Sequence, residues 1–167
     1  MLARPTMAKA KDIFSLVGTV VAGKYRFDEV VDRGGFSVVY RAFPLVLRQP
    51  VAVKCFVSLA TDVAGQAEHL DRFAREGALL TALSSRTASI VQARDMGVLS
   101  TETHASVPYL VLEWLDGRSL ESALHKRDAF PPTLGLSEVF RLFDGVCRAL
   151  ALAHGVGVAH RDIKPAN

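Results

Sequence analysis

The eight residues His160-Arg161-Asp162-Ile163-Lys164-Pro165-Ala166-Asn167 constrain this chain more than any other stretch. Asp162 is a carboxylate that can accept a proton from an attacking hydroxyl. Asn167, five residues on, offers a neutral carbonyl oxygen, the hard donor that Mg²⁺ takes beside phosphate oxygens. Lys164 stands two residues after the carboxylate and adds a mobile cation where negative charge can build. The plain alternative is a polar turn with one proline. That alternative loses weight only if matching chemistry recurs upstream, in order.

It does recur. Residues 25–31 read as a strand, followed by the turn Asp32-Arg33-Gly34-Gly35-Phe36-Ser37 and a second strand over 38–42. Glycines let a backbone approach phosphates closely and aim its N–H groups at them. Alone, the turn is equally well a plain hairpin. Residues 51–57 form a third strand, whose alternation puts Val51, Val53 and Cys55 on one face and Ala52 and Lys54 on the other. One face is core; the other presents a methyl and then a long cation. A lysine on an edge strand facing water is the competing reading.

Downstream, 62–83 follows a helical period through Leu70, Phe73, Gly77 and Leu80. Gly77 weakens that helix by about 1 kcal/mol relative to Ala, so packing must hold it. Strand-like segments follow at 89–91 and 96–99, then a polar loop over 100–106. Another strand, 107–112, ends in Glu113-Trp114-Leu115-Asp116-Gly117. Ser119 caps a short helix reaching Leu124, and Phe130-Pro131-Pro132 makes a loop. From Ser137 a strong helix carries Val139, Leu142, Phe143, Val146, Leu150 and Ala153 at helical spacing, with Gly155 as its stop.

Length and composition narrow the class. The 167 residues are half hydrophobic and 22% charged, a globular balance, and the net charge is only +3. No dense Lys/Arg run supports nucleic-acid binding. Cys55 and Cys147 lie far apart without metal-ligand spacing, which suits a reducing, cytoplasmic setting with both thiols buried as small hydrophobes. The apolar run over 13–22 behind Arg4, Lys9 and Lys11 is similar to a secretory leader. Asp12 at its edge, and its continuation into the strand at Tyr25, argue against that reading. No run reaches the roughly 18 apolar residues of a membrane span.

Taken together, the segments resemble the protein kinase domain: a glycine-rich loop, a Val-Ala-x-Lys strand, a helix glutamate, a hinge, and His-Arg-Asp followed after four residues by Asn. Lys164, two places after Asp162, is similar to the serine/threonine branch, in its bacterial form. The resemblance implies an α+β, bilobal fold: a tail over 1–19, a small lobe over 20–112, a hinge over 113–117, and the start of a large lobe over 118–167. It implies ATP and Mg²⁺ as cofactors and a Ser/Thr-bearing protein as substrate. Asp162 and Lys164 take the catalytic roles, and Asn167 holds the metal. The nucleotide falls to Val31, Asp32, Arg33, Gly34, Gly35, Phe36, Ser37, Val38 and Val39 of the lid, to Ala52 and Lys54, and to Glu113 and Leu115 of the hinge. Glu76 pairs with Lys54 and is preferred to Glu68 because helix leucines follow it.

The lid departs from the family, since Asp32 and Ser37 stand at its first and third glycine positions. The Asp-Phe-Gly segment of the family does not occur in the 167 residues, so these alone are expected to be inactive. A catalytically silent nucleotide-binding module and a small-molecule phosphotransferase are the alternatives. Arg161 and Lys164 argue against the latter.

Overall fold

The computed structural model describes residues 11–47, 49–57, 63–125 and 135–166. The described residues form two compact units, one within Met1–Ala82 and Gln92–Trp114, the other within Leu83–Val91 and Leu115–Asn167. The class is α+β, as expected: six strands and three helices among the described residues.

The first unit is built on an antiparallel sheet of six strands. These are β1 (Val20–Val21), β2 (Tyr25–Arg33), β3 (Ser37–Pro44), β4 (Val51–Phe56), β5 (Ala93–Leu99) and β6 (Val107–Glu113), in the spatial order β1-β2-β3-β4-β6-β5. Residues 20–25 do not run straight on as one strand. Ala22 and Gly23 both take positive φ, 52° and 64°, and the chain reverses there to pair Val21 with Tyr25. The segment 89–91, expected as strand, lies ahead of β5 instead.

Strand alternation sets the core. Val38, Tyr40 and Ala42 of β3, Val51, Val53 and Cys55 of β4, and Val107, Tyr109 and Val111 of β6 are all buried. Phe27 and Tyr25 join them from β2. Each large apolar side chain so buried contributes about 1.5–3 kcal/mol. Register shifts at Phe27/Glu29, Val30/Asp32 and Ala93/Asp95 mark bulges that bend the strands. The last of these aims Asp95 at Tyr25, whose hydroxyl donates to Oδ2 at 2.8 Å, while Lys24 Nζ sits 3.4 Å from the same oxygen. That contact links β2, which lies next to one edge of the sheet, to β5, which is the other edge.

Residues 12–19, expected as tail, send Phe14 and Leu16 into this core. Phe14 and Leu16 are 1% and 6% exposed among the sheet residues. Asp12 anchors the segment, accepting from the Tyr40 hydroxyl at 2.6 Å and from the Val17 N–H at 2.9 Å. A boundary at residue 20 therefore cuts into the packing.

Helix α1 (Val63–Ser84) meets the sheet's other face, with Phe73 edge-on to Phe56 at 5.5 Å. Gly77 faces Met96: a Cβ there would come within 2.7 Å of Cε, the flexible end of that side chain.

The second unit holds α2 (Leu120–His125) and α3 (Leu136–Gly155). Ser119 caps α2, its Oγ accepting from the Ser122 N–H at 3.2 Å. At the start of α3 the Glu138 carboxylate accepts from the Gly135 N–H at 2.8 Å. The helix runs through Gly155 as expected, but the left-handed residue that ends it is Gly157, at φ 77°. Cys147 is exposed on α3, not buried, because it falls outside the stripe that carries Ala153 into the interior; Cys55 is buried. No helix among the described residues is long and apolar enough to cross a membrane.

Candidate active site

The sheet's second face has room for a ligand. Along β3 and β4 the buried residues alternate with half-exposed Val39, Arg41 and Phe43, and with Ala52, Lys54 and Phe56. Register sorts these into rows. Asp32 pairs with Val39, Val39 with Lys54, and Lys54 with Leu110; one step away, Glu29 pairs with Arg41, Arg41 with Ala52, and Ala52 with Leu112. Directly opposed residues share a face. The cation expected on this strand face therefore stands beside Val39, at the base of the glycine turn, and the methyl stands beside Arg41.

The Lys54 ammonium lies 5.3 Å from the centroid of the Phe56 ring, a cation–π arrangement. The expected partner does not hold it. Glu76 is an exposed side chain of α1 and pairs with Arg72 one helical turn before it, Nε to Oε1 at 3.4 Å. Among the described residues no ion pair joins Lys54 to Glu76. An i,i+4 pair at the surface is worth only about 0.3–0.5 kcal/mol, so it is a weak restraint. Glu76 nevertheless lines a cavity of about 500 Å³ together with Phe36 at the turn's tip and Phe56 and Val57 at the end of β4; Glu68 lines it as well.

The turn itself is spare. The Gly34 N–H donates to the Ser37 carbonyl at 2.9 Å, and Val57 N–H donates to the Phe36 carbonyl at 2.9 Å. Neither Gly34 nor Gly35 has a positive φ, and a Cβ would meet only ordinary contact at Gly34 and nothing at Gly35. The local fold does not require glycine at either position. Asp32 is exposed, and its Oδ1 accepts from the Arg33 N–H at 2.8 Å. Val31 and Arg33 are exposed beside it, Ser37 is half-buried, and Val38 is turned into the core, where it cannot face a ligand.

At the end of β6, Glu113 is engaged by its neighbours. Its N–H donates to the Gln92 carbonyl at 3.0 Å, and its Oε1 accepts from the Gln92 N–H at 2.8 Å. Sequence reasoning missed the role of Trp114, the next residue. Its ring stacks on the Arg41 guanidinium at 5.2 Å, and Arg41 also lies over Phe43 at 5.4 Å. The available signal was the Val39-x-Arg41-x-Phe43 alternation, which puts a cation on the ligand-side face.

In the second unit, the segment 160–166 is exposed. Lys164 Nζ donates to both Asp162 oxygens, at 3.1 and 2.9 Å, so the proposed base and the proposed cation already face each other. Arg161 takes φ 65°, a left-handed conformation that strains a residue with a Cβ and is concentrated at functional sites. The Glu121 N–H of α2 donates to the Pro165 carbonyl at 2.8 Å and ties the loop down. Leu115 is exposed in this unit. Asn167, the expected metal ligand, lies outside the described residues.

The family model described as protein kinase domain matches residues 25–167. The probable serine/threonine-protein kinase PknB of Corynebacterium glutamicum is 36% identical over 148 residues, which are 89% of this chain and 21% of that protein. A probable serine/threonine-protein kinase of Streptomyces coelicolor is 35% identical over 147 residues, 88% of this chain and 20% of its own length. The serine/threonine-protein kinase PknB of Mycobacterium leprae is 33% identical over 147 residues, 88% of this chain and 22% of its own length. The chain thus spans about a fifth of the length of these relatives.

Proposed function

Because the chain belongs to the protein kinase family, we propose that it supplies the nucleotide-binding face and catalytic loop of an enzyme that phosphorylates serine or threonine hydroxyls on proteins with ATP and Mg²⁺. The observation that carries this reading is the row through Val39 and Lys54, with Ala52 one step along the same half-exposed face. A small side chain beside a long cation suits a flat base followed by phosphates. Gly35 supports it too, since open space where a Cβ would stand leaves the turn's backbone accessible to a phosphate there.

The chemistry follows from charge and position. Bound Mg²⁺ would neutralise the phosphate oxygens and hold the transferring group in line, with Asn167 as this chain's ligand to it. Lys54 leaves the Phe56 ring to meet the α/β-phosphates, an exchange of a weak cation–π contact for charge-assisted bonds. Glu76 fixes that ammonium once it releases Arg72. Asp162 accepts the proton of the substrate hydroxyl, and Lys164, now paired with Asp162, turns its cation to the phosphoryl group. Because the Glu113 N–H is already used, the base edge is read by its carbonyl and by the backbone of Leu115.

Asp162→Asn in the intact protein tests this. ATP affinity should stay within about two-fold of wild type, while transfer to a protein serine or threonine should fall by at least roughly 10²-fold, the usual scale of a lost general base. Transfer near the wild-type rate, or phosphate placed only on small amines or sugars, would sink it.

A further inference from the structure

Arg41 is a charged residue in the row that carries Ala52, and nothing in the proposed chemistry uses it. Its guanidinium is committed on three sides. Phe43 lies at 5.4 Å, Trp114 at 5.2 Å, and Glu29 Oε1 at 3.5 Å from Nη1. Its Nε is buried and has no hydrogen-bond partner among the described residues. A buried N–H left unpaired is unfavourable, so the stacking and the ion pair must outweigh it. Arg26 extends the stack, with its guanidinium 5.6 Å from the centroid of the Phe43 ring. Only a planar, weakly hydrated cation can lie against two rings in this way, and lysine cannot replace it.

The elements joined give the stack its consequence. Arg41 and Phe43 sit on β3, two and four residues beyond Val39. Trp114 directly follows Glu113, the last residue of β6. Between β3 and β6 runs β4, with Ala52 opposite both Arg41 and Leu112. The guanidinium therefore spans the strand on which the base is proposed to lie, and clamps the strand behind the glycine turn to the first residue past β6.

We propose that Arg41 is a positioning residue for the nucleotide: stacked between Phe43 and Trp114, it fixes the distance between the lid strand and the hinge, and so the width of the base site. The inference rests on the kinase reading. It concerns ATP binding and not the chemical step.

Arg41→Leu and Arg41→Lys, made in the intact protein, separate this from simple stabilisation. Both variants should raise KM for ATP roughly five-fold, the scale of a lost double cation–π contact, with kcat within about two-fold. A purely structural role would lower the thermal midpoint and leave KM for ATP alone. Should the leucine variant fail to fold, the lysine variant decides, since it keeps the charge and the Glu29 partner. Trp114 is the only tryptophan of the 167 residues. In this chain its acrylamide quenching should rise by roughly two-fold in Arg41→Lys as the ring is uncovered. An unchanged KM for ATP in either folded variant, or equal quenching, overturns the proposal. A wild-type protein with no ATP-dependent transfer overturns the kinase reading itself, and this inference with it.

Discussion

Asp32 is the sharpest departure from the family's lid, and its consequence can be worked out. It stands opposite Val39, which stands opposite Lys54, so two strand spacings of about 4.8 Å separate its row position from that of the lysine. A phosphate held by Lys54 would then lie about 9 Å from the carboxylate. In water two unit charges at that distance interact by about 0.5 kcal/mol, and a nucleotide with two net negative charges doubles this. Screening at about 0.1 M salt removes half or more, while the neighbouring low-dielectric sheet restores some of it. The net repulsion is about 0.5–1 kcal/mol. Asp32→Asn isolates the charge, because the amide oxygen can still accept from the Arg33 N–H. It should tighten Mg-ATP binding about two- to five-fold by calorimetry, with a larger gain at low salt. Asp32→Gly should do the same. Unchanged affinity, or a gain that ignores salt, would mean that the carboxylate never faces the phosphates.

Gly97→Ala should destabilise the first unit by about 1–3 kcal/mol in urea unfolding, since its Cβ would come within 2.8 Å of Tyr109 Cζ, on a rigid buried ring. Gly77→Ala makes a similar approach, but to the flexible end of Met96, and gains helix propensity. It should be near neutral, and equal losses in both variants would contradict this packing. Stability should also fall at both ends of the pH scale. Burial raises the Asp12 pKa, but hydrogen bonds from Tyr40 and from the N–H groups of Val17, Leu16 and Phe14 outweigh it and hold the carboxyl below 3.8. That contribution is present above the ordinary value and lost as pH falls. Burial first, then Asp12, raises the Tyr40 phenol above 10.0, so its contribution is present below that value and lost as pH rises. Tyr40→Phe should lower the mid-pH plateau by about 1.5–3 kcal/mol and make the alkaline decline shallower; an unaltered alkaline slope would refute the assignment.

What the sequence made legible was periodic or tightly spaced. The β4 alternation placed Lys54 and Ala52 on the half-exposed face and Val53 in the core from spacing alone. The α1 and α3 stripes gave helices within a residue or two of those found. Residues 12–19 were opaque because Phe14 and Leu16 reach the core from irregular turns, with Ser15 at φ 54° and Gly18 at φ 86°, and have no period to detect. The Glu76 partner was opaque for another reason. Arg72 is one turn away on the same helix, whereas Lys54 is on another element, and sequence spacing cannot rank the two. The Arg41 stack was opaque because Arg41 and Trp114 belong to different parts of the sheet, and no sequence period relates them.

Lys54 carries the central claim, that this half-exposed face holds the phosphates of ATP. The measurement is the rate of phosphoryl transfer by Lys54→Met in the intact protein, alongside Mg-ATP affinity and thermal unfolding. Methionine keeps the packing on Phe56 and removes the cation, so the fold should survive. Transfer should fall by at least roughly 10²-fold, the scale of a lost charge clamp on a transferring phosphoryl group. A folded Lys54→Met protein that autophosphorylates at a near wild-type rate would contradict the account.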